Sequence, residues 1–366
     1  MKIHGERQDL LEVGQSVLRV VSPRATLPVL GGVRISAGPE GVQFASTDLE
    51  IFVTVQRELS VDEEGSLVVP GRLFGEILRS LPSGKVTITG ADGEVRIESG
   101  RTEFSLRGFP VADFPKTPDV PEGVAGRVPG PELAKALGQV VRAASTDEAR
   151  PVLTGVLWML EGGLLRLVAT DSYRLAVSEV VAKEGPNEAQ AIIPGRALSE
   201  LARHITAAED QEVSVWLGET QAAFSVGRTR LVTRLIEGEF PNWRHLIPEQ
   251  FESKLHAPRD GFASAVERVG LVAQPNTPVK FHLSEEVQLT ANEAGVADAV
   301  EFVEEANYTG SPMVVAFNPR FFREGLEGID TENAVLEVID PTKPAILRGE
   351  DREDYMYLVM PVRLPN

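Results

Sequence analysis

Cysteine is absent from the 366 residues, which excludes both a disulfide framework and a thiolate metal site. Histidine is scarce. The five present (His4, His204, His245, His256 and His282) show no ligand spacing, so a histidine-based metal centre is not expected. No apolar run approaches the length of about 20 residues that a membrane-spanning helix needs. The opening "MKIHGERQDLLEVGQ" is too charged for a secretory leader, so the expected location is the cytoplasm. Glycine-rich phosphate loops are missing as well, since "LPSGKVTI" lacks the first glycine of that pattern, and no G-x-S-x-G nucleophile elbow occurs. Basic residues are in deficit, 36 against 54 acidic ones, for a net charge of −18. Such a balance argues against nucleic acid as a partner. Net charge sets the long-range field, however, and leaves room for a local basic surface.

What is present is a long internal repeat. "TLPVLGGVRI" at 26–35 matches "ARPVLTGVLW" at 149–158, and "FASTDLEIFV" at 44–53 matches "LVATDSYRLAV" at 167–177. A weaker third copy starts with "NTPVKFHLSEEVQLTAN" at 276. Further on, "VVPGRLFGEILRSL", "IIPGRALSELARHI" and "AFNPRFFREGLEGI" place Arg72, Arg196 and Arg320 at a constant separation of 124 residues. A unit of this length is a domain rather than a solenoid repeat. The expected domains are 1–119, 125–248 and 252–366, separated by the Pro- and Gly-rich "KTPDVPEGVAGRVPGP" and by "FPNWRHLIPEQF".

Within each unit an amphipathic stripe is kept. Positions 73, 74, 77, 78 and 81 recur as 197, 198, 201, 202 and 205, then as 321, 322, 325, 326 and 329, the spacing of one helix face. Pro-Gly or Asn-Pro ahead of the arginine marks the helix start. Period-2 runs such as "KVTITG", "EVRIES" and "EVSVWLG" then read as strands. The first half of each unit repeats the scheme, with helices at about 7–21, 131–144 and 258–273. The expected class is α+β: three tandem copies of a domain with helices on one face of antiparallel sheets.

The six candidate helices carry +3 in total, while the whole chain carries −18. Arg72, Arg196 and Arg320 each fall in a first helical turn, where the macrodipole disfavours a cation by roughly 0.3–1 kcal/mol. Two readings stand side by side. Duplication copied one surface arginine, or the helices face a shared polyanion together with Arg24, Arg79, Arg142 and Arg203. Thr-Asp at 47–48 and 170–171 reads first as a tight turn closed by the aspartate's own carboxylate. The rival reading makes Asp48 and Asp171 the carboxylates of a nucleic-acid hydrolase, but no partner for acid–base work accompanies them. A second rival is a protein-binding scaffold.

Five segments in order, "TLPVLGGV", "RPVLTGVL", "ATDSYRLA", "LIEGEFPNW" and "YLVMPVRL", resemble the bacterial sliding clamps, the beta subunits of the replicative DNA polymerase III. The resemblance covers essentially the whole chain. It implies a non-enzymatic processivity factor with no cofactor of its own, a head-to-tail homodimer closing into a six-domain ring around duplex DNA without sequence specificity. Helices would line the hole, with Arg24, Arg72, Arg79, Arg142, Arg150, Arg196, Arg203 and Arg320 toward DNA. It further implies a pocket between the second and third domains for short, partly hydrophobic motifs of the polymerase, the clamp loader and repair proteins. By matching motifs, its wall would comprise Leu153, Thr170, Ser172, Tyr173, Arg174, Leu175, Pro241, His245 and Leu246. The last strand would add Leu358, Met360, Pro361, Val362, Arg363 and Leu364. Tyr173 stands where well-known members have His, His245 where they often have Arg, and Pro151 and Val152 where some carry tyrosines.

Overall fold

The computed structural model describes residues 1–21, 27–91, 93–120, 124–208, 211–273 and 277–364. Six α-helices form among these: α1 Arg7–Leu18, α2 Gly71–Ser80, α3 Gly130–Val140, α4 Gly195–Ala208, α5 Arg259–Gly270 and α6 Pro319–Glu327. Each of α2, α4 and α6 starts at the Pro-Gly or Asn-Pro step. In α6 the Asn318 side chain accepts the backbone N–H groups of Arg320 and Phe321, and Pro319 takes the first helical position, where no donor is needed. The stripes face inward as their spacing requires: Phe74, Ile77, Leu78 and Leu81; Ala197, Leu198, Leu201 and Ile205; Phe322, Leu326 and Ile329. Leu73 and Phe321 depart from them. Both stand one residue after the arginine at the edge of the stripe, Leu73 exposed and Phe321 half-buried.

The strands pair antiparallel throughout and fall into four sheets. By packing, the chain divides into two compact units, one of Met1–Pro131 with Arg203–Leu235, the other of Glu132–Ala202 with Ile236–Asn366. The division crosses the repeats because two sheets run through repeat boundaries. In the first unit, Gly65–Pro70, Gly32–Gly38, Gly41–Thr47 and Ile51–Arg57 continue into Thr229–Arg234, Gln221–Val226, Glu212–Leu217 and Val124–Pro129. The junction pairs Leu231 with Val53. In the second unit, Glu188–Pro194, Gly155–Glu161, Leu164–Thr170 and Arg174–Val181 continue into Tyr355–Val359, Ala345–Gly349, Asn333–Val338 and Ser253–Pro258. There Leu175 pairs with Leu358. In both cases the strand after a Thr-Asp turn accepts the last strand of the next repeat.

The other two sheets are halves of the same design. One has Ala297–Phe302, Gln288–Glu293, Val279–Leu283 and Met313–Phe317. The other has Thr102–Arg107, Glu94–Ser99, Lys85–Ala91 and Lys2–Glu6, with Ser60–Glu63 added at the far edge. Ala297–Phe302 occupies the place of the accepting strand, and Thr102–Arg107 the place of the last strand. Each pairs on one side only among the described strands.

Helix packing uses small residues where backbones approach. A Cβ on Gly325 of α6 would lie 2.5 Å from Cδ1 of Tyr357, so the helix can sit against that ring only as glycine. Beneath α5 and α6, Phe262, Phe281, Phe317 and Phe322 form a contiguous aromatic core with ring centroids 4.6–6.1 Å apart.

Candidate functional site: a cavity at the second repeat junction

The two Thr-Asp turns are built alike. Asp48 Oδ1 accepts the N–H groups of Glu50 and Ile51, and Asp171 Oδ1 those of Tyr173 and Arg174. Thr47 and Thr170 accept the N–H of Leu49 and Ser172, the residues at φ 80° in each turn. These are turn carboxylates first, as their sequence position suggests.

The second turn carries more. Asp171 Oδ2 also accepts Nε of Arg174 at 2.9 Å, and Arg174 is buried, 5% exposed. Its Nη1 reaches Glu324 of α6 and, at 3.4 Å, the Tyr357 hydroxyl. Its guanidinium lies 4.2 Å from the centroid of the Phe321 ring. Tyr173, itself exposed, stacks with Phe321, their ring centroids 6.5 Å apart. Burial pushes the Tyr357 phenol up to about 12, so it stays neutral and accepts from Arg174.

After Val359 the chain leaves the sheet. The Met360 N–H donates to the Tyr173 carbonyl and the Val362 N–H to the Ala316 carbonyl, each at 2.8 Å. Pro361 lies between them with no donor to place. The tail thus bridges the Thr-Asp turn and the strand Met313–Phe317 that leads into α6. Together they enclose an apolar cavity of about 510 Å³ lined by Tyr173, Thr277, Pro278, Asn318, Phe321, Met360, Pro361, Val362 and Arg363. A short apolar segment fits such a site: concave, mostly apolar, with Met360 as an adaptable wall.

Tyr173, Met360, Pro361, Val362 and Arg363 therefore meet, as expected from the sequence. Others do not line the cavity. Arg174 lies beneath it, held by two carboxylates. Leu175 and Leu358 are 0% and 2% exposed and belong to the core with Trp243 and Met356, while Leu153 is buried nearby. Thr170 is buried, its hydroxyl donating to the Arg174 carbonyl. Ser172 is an exposed turn residue, and Leu364 is half-buried outside the lining. Pro241, His245 and Leu246 are exposed on and beside the turn Trp243–Leu246, which Trp243 anchors to the same core. Thr277, Pro278, Asn318 and Phe321 were missed. Phe321 counts as a core position in the helical stripe, and only its place beside Arg320 at the stripe's edge hints otherwise.

Of the arginines, Arg24 lies outside the described residues. Arg72, Arg79, Arg196, Arg203 and Arg320 are exposed on α2, α4 and α6. The unfavourable cation in each first turn has a repeated remedy, a glutamate four residues on: Glu76, Glu200 and Glu324. Arg72 and Arg320 each donate Nε to that glutamate at 2.9 Å. Arg150 is exposed, pairing with Asp147 and donating to Ser172. Arg142 is half-buried, donating to Glu327 at 2.7 Å and to the Glu324 carbonyl, and so joins the second repeat to α6. Among the described residues no cluster of His, Asp or Glu could hold a metal, and no helix is long and apolar enough to cross a membrane.

Tandem α+β units that share sheets, repeat an arginine at one helical turn and enclose an apolar cavity at a junction define the sliding-clamp class. Comparison with known proteins agrees. The N-terminal, central and C-terminal domain models of the DNA polymerase III beta subunit match residues 1–118, 127–242 and 244–363. The chain is 37% identical to the beta sliding clamp of Streptomyces coelicolor over the full length of both, and 33% identical to that of Staphylococcus epidermidis over 94% of this chain and 95% of that one. Its structure resembles the DNA polymerase sliding clamp of Bacillus subtilis (29% identity, TM-score 0.93) and the DnaN sliding clamp of Bartonella birtlesii bound to griselimycin (30%, TM-score 0.93), with all of each chain covered. The chain belongs to the DNA polymerase III beta-subunit family and functions as a DNA sliding clamp.

Proposed function

We propose that two copies of the chain close head to tail into a ring around duplex DNA, each supplying the domains 1–119, 125–248 and 252–366. The observation that carries this reading is the pair of half-sheets. Two junctions between successive repeats are made inside the chain, and the third, between Ala297–Phe302 and Thr102–Arg107, has its two halves at opposite ends of the repeat series. A heterologous contact whose rotation closes generates a ring. Inside it, Arg72, Arg79, Arg196, Arg203 and Arg320 would meet phosphates, contacts that position a protein without reading sequence. The cavity at Tyr173, Phe321 and Met360 would take short apolar motifs of the polymerase and other partners. The ring performs no chemistry of its own, and the carboxylates of Asp48 and Asp171 act as turn acceptors.

The test is retention on DNA. Once loaded on a circular duplex, the protein should remain through dilution and leave when the circle is cut. Loss at the same rate from intact circles would mean that nothing encircles the DNA. Light scattering should give the mass of two chains, and turnover of nucleic acid by the purified chain would overturn the non-enzymatic reading.

A further inference from the structure

We infer that Glu324 is a positioning residue that couples the state of Arg320 on the surface of α6 to the shape of the cavity, an inference that rests on the ring reading above. One carboxylate serves two guanidinium groups. Its Oε1 accepts Nε of Arg320 at 2.9 Å, and its Oε2 accepts Nη1 of Arg174. The two arginines differ sharply in setting. Arg320 is 74% exposed and available to an external anion, whereas Arg174 is 5% exposed and touches no solvent-borne ligand. Glu324 itself is 15% exposed, so its charge is poorly screened by water.

Arg174 acts on the cavity through Phe321. Its guanidinium lies against the Phe321 ring, and Phe321 in turn stacks with Tyr173, so the two aromatic walls stand on one buried cation. A phosphate that draws Arg320 away leaves the Glu324 carboxylate to Arg174 alone. Arg174 is then held more firmly between Glu324 and Asp171, and the platform under Phe321 is fixed. A ligand in the cavity binds more tightly to a wall already ordered. Linkage makes the effect reciprocal: an occupied cavity strengthens phosphate binding at Arg320 by the same factor. In a clamp, the partner site would then favour the DNA-bound ring. The first repeat has the same Arg-x-x-x-Glu pair at Arg72 and Glu76, but there Glu76 is 49% exposed. In the third repeat the pair reaches a buried arginine at a cavity.

The experiment titrates labelled griselimycin against the full-length protein with and without a saturating short linear duplex, at one low salt concentration. Binding of the duplex is measured in parallel. In the wild type the duplex should tighten probe binding about two- to five-fold, the low end of allosteric couplings. Arg320→Gln should raise probe affinity without duplex to the level the wild type reaches with it, and should abolish the response. Glu324→Gln should weaken the probe in both conditions and abolish the response too. A merely structural Glu324 would lower affinity while leaving the duplex response intact, and that pattern overturns the inference. So does an unchanged response in Arg320→Gln, which remains decisive if Glu324→Gln melts early. A duplex that binds without changing probe affinity sinks the coupling alone. A wild type that binds no duplex, or no probe, sinks the ring or cavity reading together with it.

Discussion

His204, on the inward side of α4 and 7% exposed, is a residue whose charge the fold tolerates poorly. Burial pushes its imidazole down to about 4, assisted by the nearby cations Arg19 and Arg203. The unfolded chain therefore takes up a proton that the folded one refuses between about pH 6.5 and about pH 4. Stability present above that window is lost as pH falls through it, by on the order of 3 kcal/mol in full. His204→Gln should flatten the fall in melting temperature across this window relative to wild type. An identical slope would show that other groups control the acid response. The two turn aspartates provide a second contrast. Asp48→Ala removes acceptors from two backbone donors and should cost about 1 kcal/mol. Asp171→Ala also strips a buried arginine of one of its two carboxylates, and should cost about 3 kcal/mol and weaken binding of a short apolar peptide at the cavity. Equal losses in denaturant titrations of the two variants would contradict the buried role of Arg174. That role was not legible in the sequence. An arginine after a turn reads as solvated, and its second carboxylate lies 150 residues further along the chain.

At the scale of elements, the sequence carried the helices and hid the junctions. α2, α4 and α6 are readable because a stripe, a proline-containing start and an arginine recur at one period. The sheet-sharing junctions are not, since a strand's partner is set by backbone pairing to residues in another repeat, and the period-2 pattern carries no address. The cavity inherits this opacity. Its Tyr173 and Met360 walls lie in matching motifs, whereas Phe321 is hidden in a helix stripe and Asn318 in a cap. Two changes test the arrangement. Gly325→Ala would set a Cβ against the Tyr357 ring, overpacking α6 by about 1–3 kcal/mol, and by shifting the helix that carries Phe321 should weaken probe binding as well. Deleting residues 360–366 removes one cavity wall, yet among the described residues the tail is tied down by two backbone hydrogen bonds beyond the sheet. Melting should change little while affinity for a short apolar partner peptide falls by about tenfold or more, as loss of an anchoring wall usually requires. Retained affinity would place the site elsewhere.

At the scale of the whole molecule, the acidic exterior and the two half-sheets act together. A strand edge left open is a hazard for uncontrolled pairing, and a net charge of −18 opposes it by keeping copies apart at long range. Association therefore has to be specific and short-ranged. Ala297–Phe302 offers Val300 and Phe302, 60% and 45% exposed, on one face of its edge. Thr102–Arg107 offers a half-buried Phe104 and the cation Arg107, with Arg101 in the turn before it, suited to a strand that also carries Asp298 and Glu301. If these edges join in the dimer as the matching strands join inside the chain, Val300 and Phe302 become buried at the contact. Full burial of such a side chain contributes about 1.5–3 kcal/mol, and these gain about half of it at each of the ring's two contacts, so replacing both with Asp should raise the dimer dissociation constant by about two to four powers of ten. Light scattering at micromolar concentration should then report a single chain, and the variant should be lost from circular DNA as quickly as from linear DNA. Its melting, measured well below the dissociation constant of the wild type, should match the wild type's, because neither side chain supports a core within its own sheet. A variant that stays dimeric would move the contact away from these edges, and with it the explanation of why the repeat series ends in two halves of one sheet.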